Sequence, residues 1–92
     1  MCLWRHSELE SVGMQQWTIR SAEDFGRSIA EIRHARGLTQ GDLAAQGGIS
    51  RHWLAKLEPG HSTPVLEHLL RLTRRLGATI TVTFDARTPE GR

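Results

Sequence analysis

The chain has 92 residues, with 12 Lys and Arg against 10 Asp and Glu, so its formal net charge is only +2. That length fits one small domain whose core is marginal by itself, so a partner subunit is expected, and any nucleic-acid footprint must come from local arrangement rather than from the whole-chain field. The single cysteine, Cys2, excludes an internal disulfide or a multi-thiolate metal site, and no apolar run approaches the roughly 20 residues of a membrane span.

The opening stretch MCLWRHSELE lacks the apolar centre of a signal peptide, which together with the cysteine count makes a reducing cytoplasm the expected location. Residues 1–16 show no sustained period and are expected to be a flexible segment ahead of a domain spanning residues 17–84. Trp17-Thr18-Ile19 alternates apolar and polar and can form one short strand. Ser21 followed by Asp24 resembles a capping box with Asp in place of Glu, starting a first helix near Ala22. Phe25, Ile29 and Ile32 make its apolar face, and Gly37 is a natural left-handed terminator. Thr39 caps a second helix with Asp42 at its third position, where a carboxylate favours the positive end of the dipole. Leu43 and Ala44 face inward, while Gly41 costs roughly 1 kcal/mol against alanine and leaves this helix dependent on packing. Gly47-Gly48 breaks it, Ile49 is expected to plug the turn, and Ser50 caps a third helix that returns Leu54 and Leu57 to the core. Pro59-Gly60 ends that helix.

Thr63 and Pro64 open a fourth helix as cap and first residue. Its Val65, Leu66, Leu69, Leu70, Leu72 and Leu76 are more apolar surface than one stripe needs, so part of it should meet a second subunit or the C-terminal segment. After Gly77, the run ATITVTF alternates Thr79, Thr81 and Thr83 with Ile80, Val82 and Phe84, a period-two strand. A lone strand with free edges needs a partner, either the same strand of a second subunit or residues 17–19. Residues 85–92 are expected to be a disordered tail.

Two short amphipathic helices around a Gly-Gly turn form a helix-turn-helix, whose second member can enter a DNA major groove. Arg51, His52 and Lys56, at the front and on one side of the third helix, are the candidate base readers: arginine matches guanine O6 and N7 with two hydrogen bonds. Gln40 at the start of the second helix, Ser50 at the start of the third, and Arg36 and His34 at the end of the first are candidate phosphate contacts. Taken singly, Arg51 and Lys56 also read as ordinary solvated residues, and His34 reads more readily as a plain surface residue; it is the joint spacing that favours DNA. An ion pair between Arg33, late in the first helix, and Glu58, at the end of the third, would set the angle between those helices. Trp53 admits three readings: packing on the fourth helix, contact with a thymine methyl or sugar, or contact with a protein partner. No catalytic constellation is present, since Ser50 and His52 do not face one another and there is no phosphate-binding glycine loop. The histidines lack metal-ligand spacing, so neither metal nor cofactor is expected.

The marks ARGLTQ at residues 35–40, DLA at 42–44, GIS at 48–50 and LEPG at 57–60 resemble the Cro/C1-type (XRE) helix-turn-helix family over residues 25–76. The resemblance implies an all-α, lambda-repressor-like bundle of four main helices, with Gln40 on phosphate, Arg51, His52 and Lys56 on bases, and Arg33 paired with Glu58. Gly41, Gly47, Trp53 and Pro59 depart from the family pattern and bear on the docking angle rather than the fold. A short chain with a strand after its last helix also resembles the HipB-like antitoxins, homodimers whose C-terminal strands pair across a twofold axis and which bind a HipA-like serine/threonine kinase toxin. That likeness implies a palindromic double-stranded operator, autorepression, and a dimer interface of Leu69, Leu72, Leu76, Ile80, Val82 and Phe84. A stand-alone or phage-type repressor, and a protein-binding adaptor suggested by Trp53 and the apolar fourth helix, are the alternatives.

Overall fold

The computed structural model describes residues 14–87 and 89. In chain order the elements are β1 (Met14–Ile19), α1 (Ala22–Ala35), α2 (Gln40–Gly47), α3 (Arg51–Leu57), α4 (Pro64–Arg75) and β2 (Ile80–Asp85). The helices form a four-helix bundle, and the two strands make a short antiparallel sheet that packs on α1.

Each helix begins at a hydroxyl side chain. Ser21, Thr39, Ser50 and Thr63 accept a hydrogen bond from the backbone N–H three residues on, each replacing a donor bond that the first turn lacks and worth about 1 kcal/mol. Thr39 and Asp42 complete the reciprocal box, with both bonds at 3.0 Å. At α1 the Asp24 carboxylate reaches past Ser21 and accepts from the Arg20 N–H at 2.9 Å, a stretched version of the same device. Gly37 and Gly48 end α1 and α2 with φ of 70° and 69°, a left-handed turn that a side chain would resist.

The core lies inside the helix-turn-helix. Ala44, Leu54 and Leu57 are buried together, with Phe25, Ile29 and Leu43 packed against them. Ile49 is 40% exposed and does not plug the turn as expected. Its N–H is tied back to the Ala44 carbonyl at 3.0 Å, and the buried residues flanking the turn are Ala44 and Leu54 instead.

Of the two partners expected for the terminal strand, the one the structure shows is the segment around residues 17–19. β2 takes its partner from its own chain, with Ile80 opposite Ile19, Val82 opposite Trp17 and Phe84 opposite Gln15. Directly opposed residues share a face, so this register collects Trp17, Ile19, Ile80, Val82 and Phe84 on one side, together with Gln15, and puts Thr81 and Thr83 on the other with Met14, Gln16 and Thr18. A shift by one residue would turn every one of them over. Phe84, expected at a dimer interface, is buried within its own chain. β1 also begins at Met14, three residues ahead of the expected start, because pairing reaches Asp85 at the far end of β2. The rest of the segment expected to be flexible, residues 1–13, lies outside the described residues, as do 88 and 90–92 of the expected tail.

One contact sets how closely α1 approaches α3. A Cβ added at Gly26 would fall 2.7 Å from the Glu58 carbonyl oxygen and nearer still to that of Leu57, both backbone atoms that cannot swing aside. Helix propensity alone would make Gly26→Ala stabilising by up to about 1 kcal/mol. The clash reverses the sign: Gly26→Ala is expected to lower stability by roughly 1–3 kcal/mol, read from urea midpoints. An unchanged or raised midpoint would show that the helices do not meet this closely.

Candidate nucleic-acid interface

α3 is seven residues long and buries Leu54 and Leu57 on one side. At about 100° per residue the opposite side carries His52 and Lys56, with Arg51 and Trp53 on its two flanks. All four are exposed. The stem of Arg51 leans over the first turn of α2, where its Cδ would lie 3.8 Å from a Cβ at Gly41. Arg51 therefore stands beside the N-terminal turn of α2, whose unpaired backbone donors and dipole favour an anion.

A buried clamp holds α3 in place. The Arg33 guanidinium donates to both carboxylate oxygens of Glu58, from Nε at 2.7 Å and from the second terminal nitrogen at 3.0 Å. The remaining nitrogen donates to the Leu38 carbonyl at 2.9 Å, and the Gln40 side-chain amide donates to Glu58 at 3.0 Å. The two charged side chains are only 10% and 7% exposed, so this is no loose surface pair. It joins α1, the α1–α2 loop, the start of α2 and the end of α3. Burial by itself pushes the Glu58 carboxyl up, but the hydrogen bonds from Arg33 and Gln40 and the arginine charge outweigh it and hold the group below the ordinary carboxylate range. Because the Glu58 charge is spent on Arg33, it does not oppose the positive field of Arg51 and Lys56.

The structure brings only some of the expected site residues together. Arg51, His52, Lys56 and Ser50 gather at the front of α3; the Ser50 hydroxyl accepts from the Trp53 N–H at 3.0 Å as the helix cap. Gln40 lies next to them, but its side chain is a member of the clamp, which leaves its backbone N–H as the group that can meet a phosphate. Arg36, expected on phosphate, is turned toward the sheet, with its guanidinium carbon 4.9 Å from the centre of the Phe84 ring, a cation–π contact made possible by the in-chain pairing of β2. His34 is exposed and its Nε2 lies 3.3 Å from the Arg33 guanidinium. Of the expected interface residues, Leu69, Leu72 and Leu76 are exposed, Ile80 and Val82 are half-buried, and Phe84 is buried. Among the described residues no group of three or more His, Cys, Asp or Glu is placed to hold a metal ion, and no helix is long and apolar enough to cross a membrane.

Residues 24–83 match the helix-turn-helix domain family. The chain belongs to the helix-turn-helix family. Within it, the chain is of the XRE/Cro type of transcriptional regulator. This helix-turn-helix chain is 34% identical over 65 residues to the HTH-type transcriptional regulator SlrR of Bacillus subtilis, covering 70% of the chain and 43% of that protein. It is 35% identical over 54 residues to the HTH-type transcriptional regulator y4dJ of Sinorhizobium fredii, covering 59% of the chain and 70% of that protein. The matched part of SlrR is thus less than half of its length. No solved structure matches significantly. The family match runs from Asp24 into β2 and contains the whole clamp and every residue at the front of α3.

The clamp has a pH signature. A carboxyl held below its unfolded value, about 4.3 for glutamate, contributes stability that is fully present above that value and is lost as pH falls through the lower folded value. Glu58→Gln leaves the buried Arg33 without its counter-charge and is expected to cost about 2–4 kcal/mol at pH 7. The gap between wild type and Glu58→Gln should then narrow below about pH 4, measured as urea midpoints across pH. A gap that stays constant down to pH 3 would contradict the clamp.

Proposed function

We propose that this helix-turn-helix protein represses transcription by occupying an operator in double-stranded DNA, with α3 in the major groove. Arg51, His52 and Lys56 read base edges, while the Gln40 backbone N–H, Ser50 and His34 meet phosphates. The observation that carries this reading is the exposed cationic front of α3, supported by a buried clamp in which Arg33 neutralises Glu58 at the end of that helix. A protein-binding adaptor would not need three basic side chains, one helix N-terminal turn and a rigid support assembled on one side. Phosphate contacts supply much of the affinity, so binding should fall steeply with salt.

The operator is proposed to be palindromic because the protein is proposed to act as a homodimer. On α4 the exposed Val65, Leu69, Leu72 and Leu76 are spaced four, three and four apart, which draws one continuous apolar stripe along the helix. Two copies joined there can set two α3 helices about 34 Å apart, one turn of duplex. The finer reading, an antitoxin of a HipA-like kinase, is supported by the terminal strand β2 alone. A kinase-like reading frame beside the gene would favour it, and a solitary gene would favour the stand-alone repressor.

Arg51→Ala is expected to cut the preference for operator over scrambled duplex by about fivefold or more, the loss of one bidentate base contact. Gel-shift competition measures it, and an unchanged preference would remove Arg51 from the readers. Leu72→Asp is expected to leave the fold intact and yield a monomer by light scattering. A mass that remains dimeric would move the interface off α4.

A further inference from the structure

We infer that Trp53 reads the 5-methyl group of a thymine at the edge of the major groove, an inference that rests on the DNA-facing front of α3 proposed above. Trp53 is one of the largest exposed apolar side chains, at 45% of its surface, and it lies at the third position of α3. It forms a wall of a cleft of about 260 Å³ between α3 and the loop leading to α4. His52 and Lys56, two of the proposed base readers, line the same cleft, and His61 and Thr63 form its opposite side. None of the lining residues is acidic, so the cleft is open to a polyanion and continuous with the reading face.

The position of the ring follows from helix geometry. Leu54 and Leu57 face the core, His52 and Lys56 face away from it, and Trp53 points to the flank opposite Arg51. With α3 lying in the groove, the two flanks are the sides nearest the groove walls. Arg51 meets one wall with hydrogen-bond donors. Trp53 meets the other with an apolar face, and the apolar feature of the major groove that differs between bases is the thymine methyl. The indole has a second consequence: it is wide and rigid, so it excludes water from that edge at little entropic cost.

The test begins with an operator selected by the wild-type protein from randomised duplexes. Each thymine is then replaced by deoxyuridine, which removes the methyl and nothing else. One position in each half-site is expected to lose about fourfold in wild-type affinity, the value of one buried methyl-sized group. Trp53→Ala should bind the thymine and deoxyuridine duplexes equally, with circular dichroism confirming its fold. Should the alanine protein not fold, Trp53→Gln is expected to show the same indifference. If no deoxyuridine substitution weakens the wild type, or if the Trp53 variants retain the loss, the methyl-reading role is overturned while operator binding stands. If the wild type selects no sequence at all, the DNA-reading face falls and this inference with it.

Discussion

The buried pair of Arg33 and Glu58 is the constraint on which the rest of this protein depends. Taking two charges out of water is costly, and the attraction between them offsets that cost only when the geometry is close and the remaining polar atoms are satisfied. Here the carboxylate receives two bonds from Arg33 and one from Gln40, and the third arginine nitrogen is used by the Leu38 carbonyl. The pair therefore functions less as a source of net stability than as a device that allows one arrangement of three helices. A loosened pair would leave a buried charge exposed to neither water nor partner.

That arrangement turns a small core into a support for an outward, cationic helix face. Leu54 and Leu57 give α3 its inner face, Gly26 lets α1 approach its end, and the clamp fixes its rotation. The outward face is then determined by the 3.6-residue period of α3, without further instruction. The net charge of +2 is too small to steer the whole molecule toward DNA. What matters is that Glu58, the acidic residue at the end of α3, is already neutralised by Arg33.

Much of this is legible in the sequence because it is local. The caps at Ser21, Thr39, Ser50 and Thr63, the glycine stops and the Pro64 start each depend on a few neighbouring residues, and the Arg33 and Glu58 pairing follows once the helices are placed. The parts that are not legible are non-local. Gly26 reads as a weak point of a helix until the carbonyls of Leu57 and Glu58 are found against it. The sequence leaves the partner of β2 open between residues 17–19 and a second copy, because only the folded arrangement distinguishes them, and pairing with β1 carries Phe84 inward and places Arg36 over its ring. Gln40 lies 18 residues from Glu58, so nothing near it in the chain signals that its amide belongs to the clamp. Ile49 is apolar in a turn, which suggests burial, but the turn closes through its backbone N–H and leaves the side chain outside.

Amide NMR mapping with a duplex selected by the protein itself is the most direct measurement. Shifts should concentrate at residues 39–41, 50–56 and 61–63, with the sheet silent and the Arg33 side-chain signals unmoved as the clamp persists in the complex. Shifts confined to α4 or to the sheet, with the front of α3 unaffected, would contradict the whole scheme.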